Sequence, residues 1–149
     1  MQLNSLQLSH VLNVWPVARL ASLDPMGHPH QVPVVFVCVD SLIYSPIDGK
    51  RKRGGTLQRV RNVAANASVS ILLDHYAADW QQLWWLRIDA AADAVSAGDS
   101  SFERVVAALQ SKYPQYNTTA MFSSAPTLLR FRPLRHAAWS AQPIDWGSL

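Results

Sequence analysis

Three valine- and leucine-rich runs, joined by connections too short for a crossover, constrain the first third of this chain more than any other feature. Val17–Leu23 reads as a strand and is broken by Asp24-Pro25-Met26-Gly27, a strong turn signal. Gln31–Val39 reads as a second strand, Asp40-Ser41 as a tight connection, and Leu42–Ile47 as a third strand. Parallel strands need a connection of about a dozen residues, so these three are expected to form an antiparallel meander. Pro33 removes one ladder N–H from the second strand, which points to an edge, a bulge or a place left open for a ligand.

The remaining pattern extends this architecture without introducing βαβ alternation. Residues 3–14 predict a short N-terminal helix. Leu57, Val60, Val63, Ala64 and Ala67 recur at helical spacing, with Gln58, Arg59, Arg61 and Asn62 on the opposite face. Val69–Leu73 predicts a fourth strand and residues 83–95 a long fifth one. Along the fifth, Trp84, Leu86 and Ile88 share one face and Trp85, Arg87 and Asp89 the other. Ser100-Ser101-Phe102-Glu103 reads as a capping box opening a helix to about Lys112, ended by Pro114. Thr127–Phe131 and Ala137–Trp139 supply a last strand, with Pro133 marking a bend. The expected fold is mainly β: a six-stranded antiparallel barrel with peripheral helices, in one domain spanning residues 1–149.

Charge narrows the function. Residues 48–62 hold six of the thirteen Lys and Arg residues, in the order Asp48-Gly49-Lys50-Arg51-Lys52-Arg53-Gly54-Gly55-Thr56 and then the predicted helix with Arg59 and Arg61. A glycine-rich cationic segment opening a helix suits a phosphate: helix-start N–H groups, the helix dipole and full side-chain charges all favour an anion. Elsewhere acidic residues slightly outnumber basic ones although the net charge is +3, a pattern that favours a small anionic ligand over a nucleic-acid surface. The segment lacks the Gly-x4-Gly-Lys-Ser/Thr order of a phosphate-binding nucleotide loop. Charged residues make up only 15% of the chain and hydrophobic ones 49%, which argues against disorder. No apolar run approaches the ~18 residues of a membrane span. No signal-peptide pattern opens the chain, and the lone Cys38 fits a reducing cytoplasm.

Several segments together resemble the pyridoxamine-phosphate-oxidase-like split barrels. Val17-Ala18-Arg19-Leu20-Ala21-Ser22, Gly27-His28-Pro29-His30 and Val32-Pro33-Val34 resemble that family's opening strands. The likeness is greatest to a bacterial and actinobacterial subgroup described as F420-dependent, using the deazaflavin coenzyme. The Lys50-Arg51-Lys52-Arg53 run, the helix end Arg61-Asn62-Val63-Ala64-Ala65-Asn66, the block Asp74-His75-Tyr76 with Asp79-Trp80 and Leu83-Trp84-Trp85, and Trp139-Ser140-Ala141 are similar to its motifs in order. The chain departs from the subgroup at Arg51, Gly54-Gly55 and Ala90-Ala91.

The resemblance implies a split-barrel homodimer that binds FMN or coenzyme F420 at two equivalent interface sites. It implies that Lys50, Lys52 and Arg53 take the cofactor phosphate, assisted by Thr56 and Arg59. It further implies that Val32, Pro33 and Val34, with Ser45 on the neighbouring strand, lie along the ring system, and that Trp139 closes the site. The activity so implied is hydride transfer to or from a small organic substrate in the cytoplasm, with no catalytic side chain assigned. The alternative is a split barrel that holds flavin or haem without turnover.

Other features read as structural. Cys38 lies within an apolar run and is expected to pack as a small hydrophobe. The tryptophans Trp80, Trp84 and Trp85 are expected to fill core or interface. Neighbours on a strand point to opposite faces, so Asp74 and Tyr76 can share a site with His75 only across a bend. His28 and His30 have no third ligand near them in sequence, so no metal site is expected. No nucleophile elbow or ordered Ser-His-acid set supports hydrolysis.

Overall fold

A computed structural model of the chain describes residues 1–47, 57–122 and 125–149. Its elements run α1 (Ser5–Val14), β1 (Ala18–Leu23), β2 (Pro29–Val34), β3 (Val37–Val39), β4 (Leu42–Pro46), α2 (Gln58–Ala65), β5 (Ser68–His75), β6 (Trp84–Ser96), α3 (Phe102–Lys112) and β7 (Thr127–Ser140). Single 3-10 turns cover Trp80–Gln82 and Pro114–Asn117. Every strand pairing is antiparallel, and the sheet order is β2-β1-β5-β6-β7-β4-β3.

Among the described residues seven strands are present where six were expected, because Gln31–Val39 is not one strand. It breaks at Val35-Phe36 into β2 and β3, which occupy the two opposite edges of the sheet. The three-strand meander is therefore replaced by two hairpins, β1–β2 and β3–β4. Three residues of chain reach at most about 11 Å. The two edges must come together where Val34 leads to Val37, so the sheet curls into a split barrel whose seam is crossed by the chain rather than by a ladder. Phe36 can leave the ladder because Tyr113 serves its backbone: the Phe36 N–H donates to the Tyr113 hydroxyl at 3.0 Å, and Phe36 O lies 2.9 Å from the same oxygen. Pro33 falls on an edge strand, where a missing N–H is tolerated.

Local chemistry explains the turns and caps. The Asp24 carboxylate accepts from the N–H groups of Met26 and His28, at 2.9 and 2.8 Å, and Gly27 adopts a φ of 83° to complete the β1–β2 turn. The bond from the His28 N–H is the main reason this carboxyl sits below its ordinary pKa. The expected capping box at α3 does not form: Ser101 makes no side-chain cap bond, and its N–H and hydroxyl both donate to Asp99. A reciprocal box opens α1 instead, between Asn4 and Gln7. The last strand is continuous through Pro133. Asp89 pairs with Arg135 and Ala90 with Pro133, so Leu134 is the extra residue of a β-bulge that absorbs the bend.

Two apolar clusters flank the sheet. The barrel interior holds Leu20, Ile43, Ile71, Leu86, Ile88, Leu129 and Phe131, closed at one end by Trp84 and Trp146. The second cluster lies under α3, where Val105 and Leu109 meet Tyr44, Val95 and Leu128. Cys38 is half-buried, and burial pushes its thiol pKa up, consistent with a packed, unreactive side chain. Among the described residues no helix is long and apolar enough to cross a membrane.

Candidate cofactor site

Strand alternation turns one face of β1, β5, β6 and β7 outward and lines up its side chains in rows. Asp74, Trp85 and Trp139 form one row; Arg19, Leu72, Arg87 and Ala137 form the next; Ala21, Ser70, Asp89 and Arg135 form the third. Successive rows lie two residues apart, about 7 Å along the strands. Charges on this face are paired both between rows and within a row. Arg19 bonds Asp74, and Arg135 bonds Asp89 at 2.6 Å, holding the Asp89 carboxyl below its usual range. Arg87 approaches Asp89 only to 3.9 Å and lies 5.9 Å from the centre of the Trp85 ring.

Two depressions open on this surface. One, of about 420 Å³, is walled by Leu72, Trp84, Trp85 and Trp139, with Asp74, His75, Tyr76 and Arg87 around it. Asp74, His75 and Tyr76 all line it at the end of β5, which stops at His75. The other, of about 590 Å³, is lined by Leu23, Pro29, Ser70, Asp89, Leu134 and Arg135. Large apolar side chains stay in water on this face: Leu134 is 62% exposed and Trp139 45%.

The opposite end of the barrel is closed by α2. Its Asn62 is fully buried and donates to the Ser22 hydroxyl of β1 at 3.0 Å, while Gln58 donates to Asn62 at 2.7 Å. This buried chain, with Val63 in the core, fixes the helix against the barrel. Leu57 at the helix start makes no side-chain cap bond, and the first turn carries no acid. Its first N–H groups therefore present the positive end of the helix dipole without a competing side-chain anion. Arg59 and Arg61 both belong to α2, and Arg61 donates to Gln58.

The residues singled out from sequence are distributed as follows. Lys50, Lys52, Arg53 and Thr56 lie outside the described residues. Val32 and Val34 pair with Leu20 and Ala18 on the inward face of β2, and Pro33 pairs with Arg19 on the outward one. Ser45 lies on β4, which is bonded to β3 and β7, so its strand is not the ladder neighbour of the one bearing Val32–Val34. Its side chain is buried, 1% exposed, and the hydroxyl has no hydrogen-bond partner. β4 ends at Pro46, and the Ile47 N–H donates to Thr127 O at 3.0 Å beside the start of β7; Ile47 is the last described residue before residues 48–56. Trp139 stands at the far end of that strand, twelve residues on and about 40 Å along the chain. The structure thus gathers Trp139 with Trp85, His75 and Arg87 at one end and places Ser45 and α2 toward the other. Arg19 and Arg135 were not read as part of this face; strand alternation alone gives no cross-strand register. His28 sits in the turn before β2 and bonds Asp24, and the described residues contain no cluster of three metal-ligating side chains.

Comparison with known proteins supplies the lineage. No functionally curated protein matches the sequence at a significant level. Among solved structures, HutZ, the haem storage protein from Vibrio cholerae, superposes with a TM-score of 0.68 at 18% identity, over 94% of this chain and 95% of its own. An FAD-binding protein from Mesorhizobium loti gives 0.67 at 17%, over 91% and 94%. An F420 reductase gives 0.60 at 17%, over 85% and 93%. Identities this low establish a common fold and leave the ligand open. The sequence itself goes further, since residues 7–140, from α1 to the end of the last strand, match the family described as Pyridoxamine 5'-phosphate oxidase. With that match and the split barrel in hand, the chain belongs to the pyridoxamine 5'-phosphate oxidase family.

Proposed function

We propose that the protein is an oxidoreductase that binds FMN or coenzyme F420 at the interface of a homodimer and passes hydride to or from a small organic substrate. The observation that carries this reading is the Ser45 hydroxyl, buried and unbonded two residues before the chain leaves β4 for its cationic segment. An unsatisfied buried hydroxyl costs about 1–3 kcal/mol. A polar atom of a cofactor anchored by the adjacent cations would satisfy it, so the donor set fits the group. Lys50, Lys52 and Arg53 would hold the phosphate with Thr56, and the Val32–Val34 backbone and Ser45 would lie along the ring. The ring, when bound, supplies the hydride chemistry. The work of the chain is to anchor, orient and exclude water.

The homodimer is part of the same proposal. Ile47, the last described residue before the cationic segment, and Trp139 stand at opposite ends of β7, and the outward face between them carries exposed Leu134 and Trp139. Two-fold pairing through this face would bring the aromatic end of one subunit against the cationic end of the other, completing two equivalent sites. Titration of the purified protein with FMN and with F420, followed by absorption, tests the assignment. Joint replacement of Lys50 and Lys52 by alanine should loosen the bound cofactor by at least about tenfold with unchanged melting. Unchanged affinity would reject the phosphate assignment.

A second reading, a protein that holds haem or flavin without turnover, is favoured by the likeness to the haem storage protein. His75 and Tyr76 at the groove are side chains of the kind that ligate haem iron. A Soret band on haem addition, with no reoxidation of a reduced flavin by an added acceptor, would select it over the enzyme.

A further inference from the structure

We infer that the groove walled by Trp85 and Trp139 takes a flat conjugated ring bearing a carboxylate, and that Arg87 selects the acid. This rests on the reading of the groove as part of the redox site and names the substrate class for it. Among the described residues five guanidinium groups stand on the outward face of β1, β6 and β7, those of Arg19, Arg87, Arg130, Arg132 and Arg135, and three carboxylates face them, those of Asp74, Asp89 and Asp93. Asp74 is taken by Arg19, and Asp89 by Arg135 at 2.6 Å, leaving Arg87 with one long approach of 3.9 Å to an acid already bonded. Among the described residues no hydrogen bond engages its five donors. Arg130 is taken by Asp93, so Arg87 and Arg132 are left over on this face, and of these two Arg87 lines the groove.

Geometry makes the ligand specific. Trp85 and Trp139 are register partners across β6 and β7, and both indoles line the groove. Arg87 follows one row on, about 7 Å away along the strand. A ring lying on the indoles can place a carboxylate attached at or near its edge within reach of the guanidinium. A single planar fork matches a planar monoanion bidentately. A dianionic phosphate calls for more than one cation, and in this chain such cations cluster at residues 50–53.

Pyrene-1-carboxylate and pyrene-1-methanol, which share a ring and differ in charge, test this by energy transfer from tryptophan. The wild-type protein should bind the acid more tightly. Arg87→Ala should loosen the acid by about tenfold or more while changing the alcohol by less than about twofold. Arg104→Ala should leave both unchanged, because that guanidinium pairs with Asp40, away from the groove. Melting temperatures confirm that each variant is folded. Equal affinity for acid and alcohol, retention of the acid by Arg87→Ala, or no binding of either probe would overturn the inference. Arg87-dependent capture of the acid by a protein that takes up neither FMN nor F420 would reject the redox reading and uphold the acid-binding groove.

Discussion

Removing one oxygen atom from Tyr113 should unlatch the seam of the barrel. The Tyr113 hydroxyl accepts from the Phe36 N–H at 3.0 Å and lies 2.9 Å from the carbonyl oxygens of both Phe36 and Pro16. A phenol has one proton, so it donates to one of these carbonyls at a time. Tyr113→Phe keeps the ring and its packing but leaves the N–H of Phe36, a residue only 1% exposed, without an acceptor. That orphan costs about 1–3 kcal/mol, and the lost bond to a carbonyl about 1 more. The variant should therefore lose about 2–4 kcal/mol, a large share of the stability of an ordinary domain. Urea unfolding should show a lower midpoint with an unchanged slope. The pH dependence supplies a second signature. Burial pushes the Tyr113 phenol up to about 12 from its ordinary 10. A proton held more tightly in the folded state stabilises fully below the unfolded value and ceases to do so as pH rises through the folded one. Wild-type stability should thus fall between pH 10 and 12, and the variant should lack that component. A loss below about 0.5 kcal/mol, within the range of ordinary surface substitutions, would refute the claim that this hydroxyl holds the crossover.

Other consequences can be checked directly. Lys112 donates to Leu12 O at 2.9 Å and lies 3.7 Å from the centre of the Phe36 ring, yet burial pushes its pKa down to about 7 from 10.5. Stability should accordingly rise from pH 7 toward 10.5 and be diminished as pH falls through 7, and Lys112→Met should flatten that rise in urea titrations. Asn62→Leu strands the Gln58 amide and the Ser22 hydroxyl beneath α2 and should cost about 2–3 kcal/mol by chemical denaturation; no loss would show that water replaces the tether. Leu134→Asp puts a charge on the exposed apolar face and should shift the protein from dimer to monomer in sedimentation, with unchanged sedimentation rejecting that face as the interface.

Much of the architecture was readable where the information was local. Alternation along residues 83–95 correctly separated Trp84, Leu86 and Ile88 from Trp85, Arg87 and Asp89, because the two faces of a strand follow from backbone geometry alone. The helix over residues 58–65 was visible for the same reason. The break at Val35-Phe36 was not: nothing in the valine-rich run interrupts it, and the group that draws it out of the ladder is 77 residues away. The capping box of α3 was misplaced because the helix starts one residue later than Ser100 would require: Ser101 is its N-cap, its hydroxyl donates to Asp99, and Glu103 falls at the second helical position instead of the third.

The amino-acid order by itself determined which segments become strands and helices, that the strands run antiparallel, and that positive charge collects between the fourth strand and the second helix. Each of these depends on short-range sterics, periodicity or composition. Only the tertiary structure decided that β2 and β3 part to opposite edges and curl the sheet. It also decided that Ser45 is buried without a hydrogen-bond partner and that Arg87 lines the groove without a close acid, Arg19 having taken Asp74 and Arg135 Asp89. Those outcomes depend on cross-strand register, which brings together residues far apart along the chain and has no signature within any one segment.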